Sequence, residues 1–184
     1  METAKRVWTY ADLQRMPETH DGRRYEIIDG DLVVSPSPRK RHQRASGHAF
    51  LVLAREIEDA KLGIVFHAPF DVVMSNTRVV VPDLVAVRAD RMHLVEDRGI
   101  FGAPDLIVEI LSPSNRRYDR GRKRRLYAAV GVPEYWIIDP IEQTIELLIL
   151  ADNRYALDGA FTPGDRMTSA VFPIRIDVAE IFQP

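Results

Sequence analysis

The apolar residues of this chain fall into short runs separated by turn-forming residues, with two stretches of helical spacing between them. Tyr25-Glu-Ile-Ile, Asp29-Gly30 and Asp31-Leu-Val-Val predict a β-hairpin, because Asp-Gly supplies the positive φ angles of a tight turn. Ser35-Pro-Ser-Pro ends the second strand. Ser37 and Pro38 predict an N-cap and first turn, opening a helix from about Arg39 to Ala60 with Phe50, Leu53, Ala54 and Ile57 on its apolar side and Gly63 at its close. Ile64 to Met74 reads as a long strand or a bent pair, irregular at Pro69. Arg78–Val87 is the next strand, residues 88–103 a polar connection, and Asp105–Leu111 a further strand. Tyr118–Val130 predicts a helix stopped by Gly131 and Pro133. Glu134–Asp139 is a strand ended by Pro140, Thr144–Leu150 and Tyr155–Leu157 form a meander, and Phe172 to Phe182 gives a strand and a helical turn. Residues 1–20 are expected to form a short helical extension, capped by Thr9 or Asp12 and ended by Pro17. Strands interleaved with helices, without repeat or linker, predict a single α/β domain over residues 1–184.

Two acids interrupt this pattern. Arg78-Val-Val-Val-Pro-Asp83-Leu-Val-Ala-Val87 and Pro104-Asp-Leu-Ile-Val-Glu109-Ile-Leu-Ser-Pro113 are apolar enough to be covered on both faces. An ionised carboxylate in such a run is costly unless it is paired. Pro82 cannot donate to a ladder, so the strand is expected to bend there and expose Asp83. Alternation puts Glu109 on one face with Ile107 and Leu111. If the two strands are neighbours, Asp83 and Glu109 face one cleft, and a divalent cation between them relieves their repulsion. Oxygen ligands without sulfur suit Mg2+ or Mn2+. The structural alternative is that each acid pairs with an arginine.

Composition narrows the setting. There are 184 residues, 46% of them apolar, and no cysteine, which excludes disulfides, thiolate zinc sites and thiol nucleophiles. The N-terminus has no long apolar stretch of signal-peptide type, and no segment is apolar over the length a membrane helix needs; a cytoplasmic protein without membrane contact is expected. Net charge is −2, yet seven of the ten positions Arg116–Arg125 are basic, and Arg39, Lys40, Arg41 and Arg44 form a second cluster. Such patches steer polyanions even when total charge is near zero, although charge runs are also ordinary solvated helix faces. There is no Gly-rich phosphate loop, nucleophile elbow or HExxH helix.

The ordered set Tyr25-Glu-Ile-Ile-Asp-Gly, Pro36-Ser-Pro with His42-Gln43, Val81-Pro-Asp-Leu, Pro104-Asp-Leu-Ile-Val-Glu-Ile-Leu-Ser-Pro-Ser, then Asp119, Lys123, Tyr127, Gly131-Val and Glu134-Tyr-Trp-Ile-Ile-Asp-Pro resembles the Uma-two family of restriction-endonuclease-like proteins. That family is a branch of the PD-(D/E)XK nuclease superfamily, and the resemblance covers roughly residues 20–180. It implies a restriction-endonuclease-like fold, a central mixed β-sheet flanked by helices, and a Mg2+ (or Mn2+) site from Asp83 and Glu109 with the backbone carbonyl of Ile110. The superfamily's lysine normally lies two residues after the glutamate, where this chain has Leu111. Lys123 is the candidate replacement, on a stripe with Asp119 and Tyr127 at four-residue spacing; the bland reading of that stripe is a surface Asp–Lys pair and a packed tyrosine.

Glu26 and His42 are supporting candidates: Glu26 as a further oxygen reaching the metal through water or simply an exposed hairpin residue, His42 as a phosphate contact or proton-transfer group at a helix N-terminus. The expected function is metal-dependent hydrolysis of nucleic acid, DNA foremost. Asp83, Glu109 and Lys123 would be catalytic, and Arg39, Lys40, Arg41, Arg44, Arg116, Arg117, Arg120, Arg122 and Arg124 would lie on phosphates. The alternative is a degenerate nuclease fold that binds nucleic acid or protein without cutting. A homodimer fits either.

Overall fold

The computed structural model of the chain describes residues 6–16, 23–112 and 116–183, and for Arg117 the backbone alone. The expected stop at Pro17 and the ends of the N-terminal extension lie outside the described residues. Helix α1 (Tyr10–Gln14) begins at Thr9, whose side chain and that of Asp12 cap each other's backbone N–H groups. Strands β1 (Arg24–Ile28) and β2 (Asp31–Ser35) form the expected hairpin, with Asp29 and Gly30 at positive φ. Helix α2 (Lys40–Ile57) follows. Its N-cap is Arg39, without a side-chain cap, so the expected Ser37–Pro38 start is two residues early.

Strands β3 (Gly63–His67), β4 (Asp71–Ser75), β5 (Arg78–Val80) and β6 (Leu84–Arg88) come next. The expected single strand Arg78–Val87 is two strands in two different sheets. The break falls at Val81-Pro82-Asp83, where a residue without an N–H costs no ladder bond. Within the expected polar connection lie a 3-10 helix, Ala89–Leu94, and a short hairpin, β7 (Val95–Glu96) with β8 (Gly99–Phe101). These strands are too short for alternation to reveal. Strand β9 (Leu106–Ile110) leads to α3 (Arg116–Tyr118), a π-helical turn at Asp119–Lys123, and α4 (Arg124–Val130), which ends on Gly131 in the left-handed region. Then come β10 (Glu134–Asp139), β11 (Thr144–Ala151), β12 (Arg154–Phe161) and a small pair, β13 (Arg166–Thr168) with β14 (Arg175–Asp177).

The α/β architecture with mixed sheets is present, and all described strands but the β13–β14 pair divide between two six-stranded layers, ordered β2-β1-β5-β4-β8-β7 and β12-β11-β10-β9-β6-β3. In the second, β9 is parallel to β10 and antiparallel to β6, so the two acid-bearing segments are indeed neighbours. Every residue of β9 and β10 is buried, as strands covered on both faces require. Leu106, Val108 and Ile110 pack with Ala49, Leu53 and Ile57 of α2. Ile107 and Leu111 pack on the opposite face with Leu126 and Tyr127 of α4 and with Val80 and Ile100 of the first sheet. Glu109 shares that second face, between the two layers.

The second sheet leaves little slack where β3 pairs with β6. A Cβ on Gly63 would collide with the backbone carbonyl of Val87, and a ladder carbonyl cannot swing aside. Gly63→Ala is therefore expected to destabilise the protein by about 1–3 kcal/mol, read by urea denaturation. An unchanged midpoint would show that the β3–β6 edge is looser than this.

Candidate active site

Glu109, the fourth of the five residues of β9, projects between the layers, and its neighbour Ile110 is the link to the other acid. The Ile110 N–H donates to Asp83 Oδ2 at 2.8 Å. Asp83 ends the crossing from the first sheet to the second, and the expectation that the bend exposes it is corrected. Asp83, Glu109 and Asp119 are each only 1% exposed. Arg24 donates to Asp83 Oδ1 at 2.6 Å, and His42 Nε2 lies 3.1 Å from Oδ2. Both oxygens of Asp83 are thus held by protein groups. Of the site residues expected from the sequence, Ile110 meets Asp83 through its amide.

The second half of the site comes from the helix after β9. Lys123 Nζ sits 2.9 Å from Glu109 Oε1 and 2.8 Å from Glu26 Oε1. Tyr127 donates to the same Glu109 oxygen at 2.6 Å. Lys123 is therefore no surface residue; it is buried against two carboxylates. Glu26 is buried too, its Oε1 also accepting from the Val81 N–H, so it is not an exposed hairpin residue. The stripe of Asp119, Lys123 and Tyr127 is distorted by the π-helical turn that spans its first two members. Such turns recur at functional sites because they re-aim side chains. Here the turn leaves Asp119 3.9 Å from Lys123 Nζ. Both carboxyl oxygens of Asp119 are buried without a hydrogen-bond partner.

A cleft of about 530 Å³ opens onto this cluster, lined among others by Arg24, Glu26, Arg39, His42, Glu109, Tyr118, Asp119 and Lys123. Asp83 lines a separate cavity of about 250 Å³, which shares Arg24 and His42 with the first. Sequence reasoning missed Arg24. The signal was present, since Arg24 and Glu26 alternate onto one face of β1. Tyr118 was missed as well; its hydroxyl is buried in the cleft wall without a partner.

Electrostatics separates the acids. Burial works to raise the pKa of Asp83, but the His42 hydrogen bond and the Arg24 charge hold it down at about 2. Burial pushes Glu109 up to about 7, with Lys123 opposing and Asp83 and Glu26 reinforcing the rise. Asp119 is driven to about 9 by burial and by Glu109. Burial disfavours the Lys123 ammonium, yet Glu109, Glu26 and Asp119 together keep it charged, its pKa well above the ordinary lysine value. Glu109 and Asp119 thus hold protons in the folded state that the unfolded chain releases at lower pH. With raised folded values, their contribution to stability is lost as pH climbs from about 4 through about 9. In chelator, the melting temperature is expected to fall across that range, and Asp119→Asn to flatten its upper part. A wild-type melting temperature that rose between about pH 6 and about pH 9 would contradict protonated carboxyls here.

The donor chemistry fits a hard divalent cation. Four buried carboxyl groups, Glu26, Asp83, Glu109 and Asp119, stand against one guanidinium, Arg24, and one ammonium, Lys123. When all four ionise, two negative charges are left over, which is the charge of one such cation. The orphaned oxygens of Asp119 fit as well. The arrangement is not a ready-made cage: among the described residues no three His, Asp or Glu side chains stand ready to hold a metal. Arg24 and Lys123 must give way first.

The basic clusters divide. Arg116 pairs with Asp139 at 2.5 Å, Arg120 with Glu146 at 2.6 Å, and Arg122 with Asp31 at 3.0 Å, while Arg124 donates to the Tyr155 carbonyl at 2.7 Å. These four are engaged with the protein's own acceptors, and the side chain of Arg117 lies outside the description. Arg39, Lys40, Arg41 and Arg44, at the start of α2, are exposed. Arg39 borders the cleft, and Lys40, Arg41 and Arg44 line an adjoining groove with Ile141 and Phe182.

A family model named Uma2 and described as "Putative restriction endonuclease" matches residues 10–179. The chain belongs to this family. Among solved structures, a "putative nuclease" from Anabaena variabilis resembles this Uma2 chain with a TM-score of 0.77 at 22% identity, over 95% of this chain and 97% of that one. At that identity the likeness speaks for the fold. No curated protein matches. No helix among the described residues of this Uma2 protein is long and apolar enough to cross a membrane.

Proposed function

We propose that this chain is a metal-dependent endonuclease that hydrolyses phosphodiester bonds of nucleic acid, with DNA as the expected substrate. The observation that carries this reading is the Lys123 ammonium, buried 2.9 Å from Glu109. The basic group absent at Leu111 is supplied from the following helix. Asp83, Glu109 and the Ile110 carbonyl would hold Mg2+ or Mn2+. The cation would stabilise charge developing on the phosphoryl oxygens. Lys123, with three N–H donors, orients the attacking water. Tyr127 fixes the Glu109 carboxylate, and burial keeps both free of competing solvent. Arg24 and the exposed basic residues Arg39, Lys40, Arg41 and Arg44 bind phosphates, a salt-sensitive and sequence-independent contribution.

A second reading has its own observation. Asp83 already accepts from Arg24, His42 and Ile110, which suits a protein that binds nucleic acid without cutting it. Nicking of supercoiled plasmid with Mg2+ or Mn2+, beside a chelator control and a calorimetric Mn2+ titration, separates the two. Cleavage that requires the cation supports the nuclease. DNA binding with neither cleavage nor Mn2+ uptake would reject it in favour of the binder.

A further inference from the structure

A buried carboxyl with both oxygens unpartnered is rare in folded proteins, since its desolvation is uncompensated. Asp119 is such a group, and it is only 1% exposed. It lines the cleft, and a Lys123 amine stands 3.9 Å away, just beyond hydrogen-bond reach. That same amine is bound to Glu109 Oε1, the oxygen it shares with Tyr127. While the ammonium sits on Glu109 it neutralises a carboxylate that a divalent cation would need, and its own positive charge repels that cation. A cation seated on Oε1 of Glu109 therefore has to displace Lys123. Off Glu109, the buried ammonium keeps only Glu26 close by, one acceptor for three N–H donors.

We infer that Asp119 is a positioning residue for Lys123: when Glu109 turns to a divalent cation, the Lys123 amine moves about an ångström onto Asp119, keeping Glu26 as its second partner. Three features converge on this. The two orphaned oxygens give the amine a vacant acceptor. The π-helical turn places donor and acceptor on one short segment, so the shift needs only side-chain motion. Glu26, 2.8 Å from Nζ, holds the amine near the cleft in both positions. Lys123 then points its remaining N–H toward the cleft rather than toward Glu109. His42, Tyr118 and Tyr127 face the same cluster and remain where they are, while Arg24 is the group that a cation on Asp83 displaces.

This inference rests on the metal-dependent reading above, and the test keeps the two apart. Calorimetric titration with Mn2+ is run on the wild-type chain and on Asp119→Asn and Asp119→Glu, each checked for an unchanged circular dichroism spectrum. Loss of a residue acting through a ligand's partner is expected to weaken Mn2+ about ten-fold or more in Asp119→Asn, with Asp119→Glu retaining most of the affinity. A crystal structure with Mn2+, which needs no variant, should place Nζ within hydrogen-bond distance of Asp119 and out of reach of Glu109. Unchanged Mn2+ affinity in Asp119→Asn, or Nζ still on Glu109 in the complex, overturns this inference and leaves the metal site standing. An Asp119 oxygen found on the Mn2+ ion also overturns it, making Asp119 a ligand. No Mn2+ uptake by the wild type overturns both.

Discussion

Glu109→Gln is expected to lower cation-dependent cleavage by about 10³-fold or more, and Asp83→Asn to do the same. Glu109 is the residue on which the cluster converges: Lys123 and Tyr127 both bind its Oε1. Glutamine has the same shape, so β9 keeps its packing between the two layers. Its amide oxygen can still accept from Tyr127, and Lys123 keeps Glu26 as a charged partner. The fold therefore has little reason to fail. What disappears is the negative charge that a cation needs. Asp83→Asn retains an acceptor for Ile110 and His42 while releasing the Arg24 guanidinium from its ion pair. Initial cleavage rates with Mn2+, Mn2+ titration and thermal melting would be measured on the same preparations. Cleavage persisting in both variants, with the melts unchanged, would remove these carboxylates from the chemistry.

How much of this could be read from the chain depends on the distance over which each feature is encoded. The Asp29-Gly30 hairpin and the stop at Gly131 are local, so single residues specify them. The strand alternation of β9 put Glu109 on the right face because five consecutive buried residues leave one pattern. The acids at 83 and 109 stood out because a charge within an apolar run needs a partner. The partner itself was not legible. Arg24 lies 59 positions from Asp83; alternation places it on the Glu26 face of β1, but nothing local names the acid it meets. The division of Arg78–Val87 between two sheets was hidden for a similar reason. Pro82 announces a break, but which layer each half joins depends on strands far away in sequence. The basic run 116–125 misled in another way. Its charges were obvious, yet Asp139, Glu146 and Asp31, which pair with three of them, come from elements that only the fold brings near. Asp119 offers the reverse case: regular helical spacing left a surface Asp–Lys pair open as the alternative to a lysine reaching the site, and the residue lies buried within a π-helical turn.

Lys123→Met should cost about 3–5 kcal/mol of stability, because removing one partner of a buried ion pair leaves uncompensated charge behind. Methionine fills nearly the same space, so packing contributes little to the loss. Glu26 and Glu109 would lose their shared ammonium. Glu109 would then be less willing to ionise, so the penalty should grow as pH rises through about 7, where Glu109 already titrates with Lys123 present. A divalent cation supplies the missing positive charge. Mn2+ is therefore expected to raise the melting temperature of Lys123→Met by more than that of the wild type, by the linkage of ligand binding to folding. Cleavage should nevertheless stay lost, since the cation replaces the charge of the lysine and not its N–H donors toward water. Urea denaturation at two pH values, with and without Mn2+, reads all of these effects. A loss under about 1 kcal/mol would mean that Lys123 is not the counterion of this cluster, and restored cleavage with Mn2+ would mean that it does not orient the water.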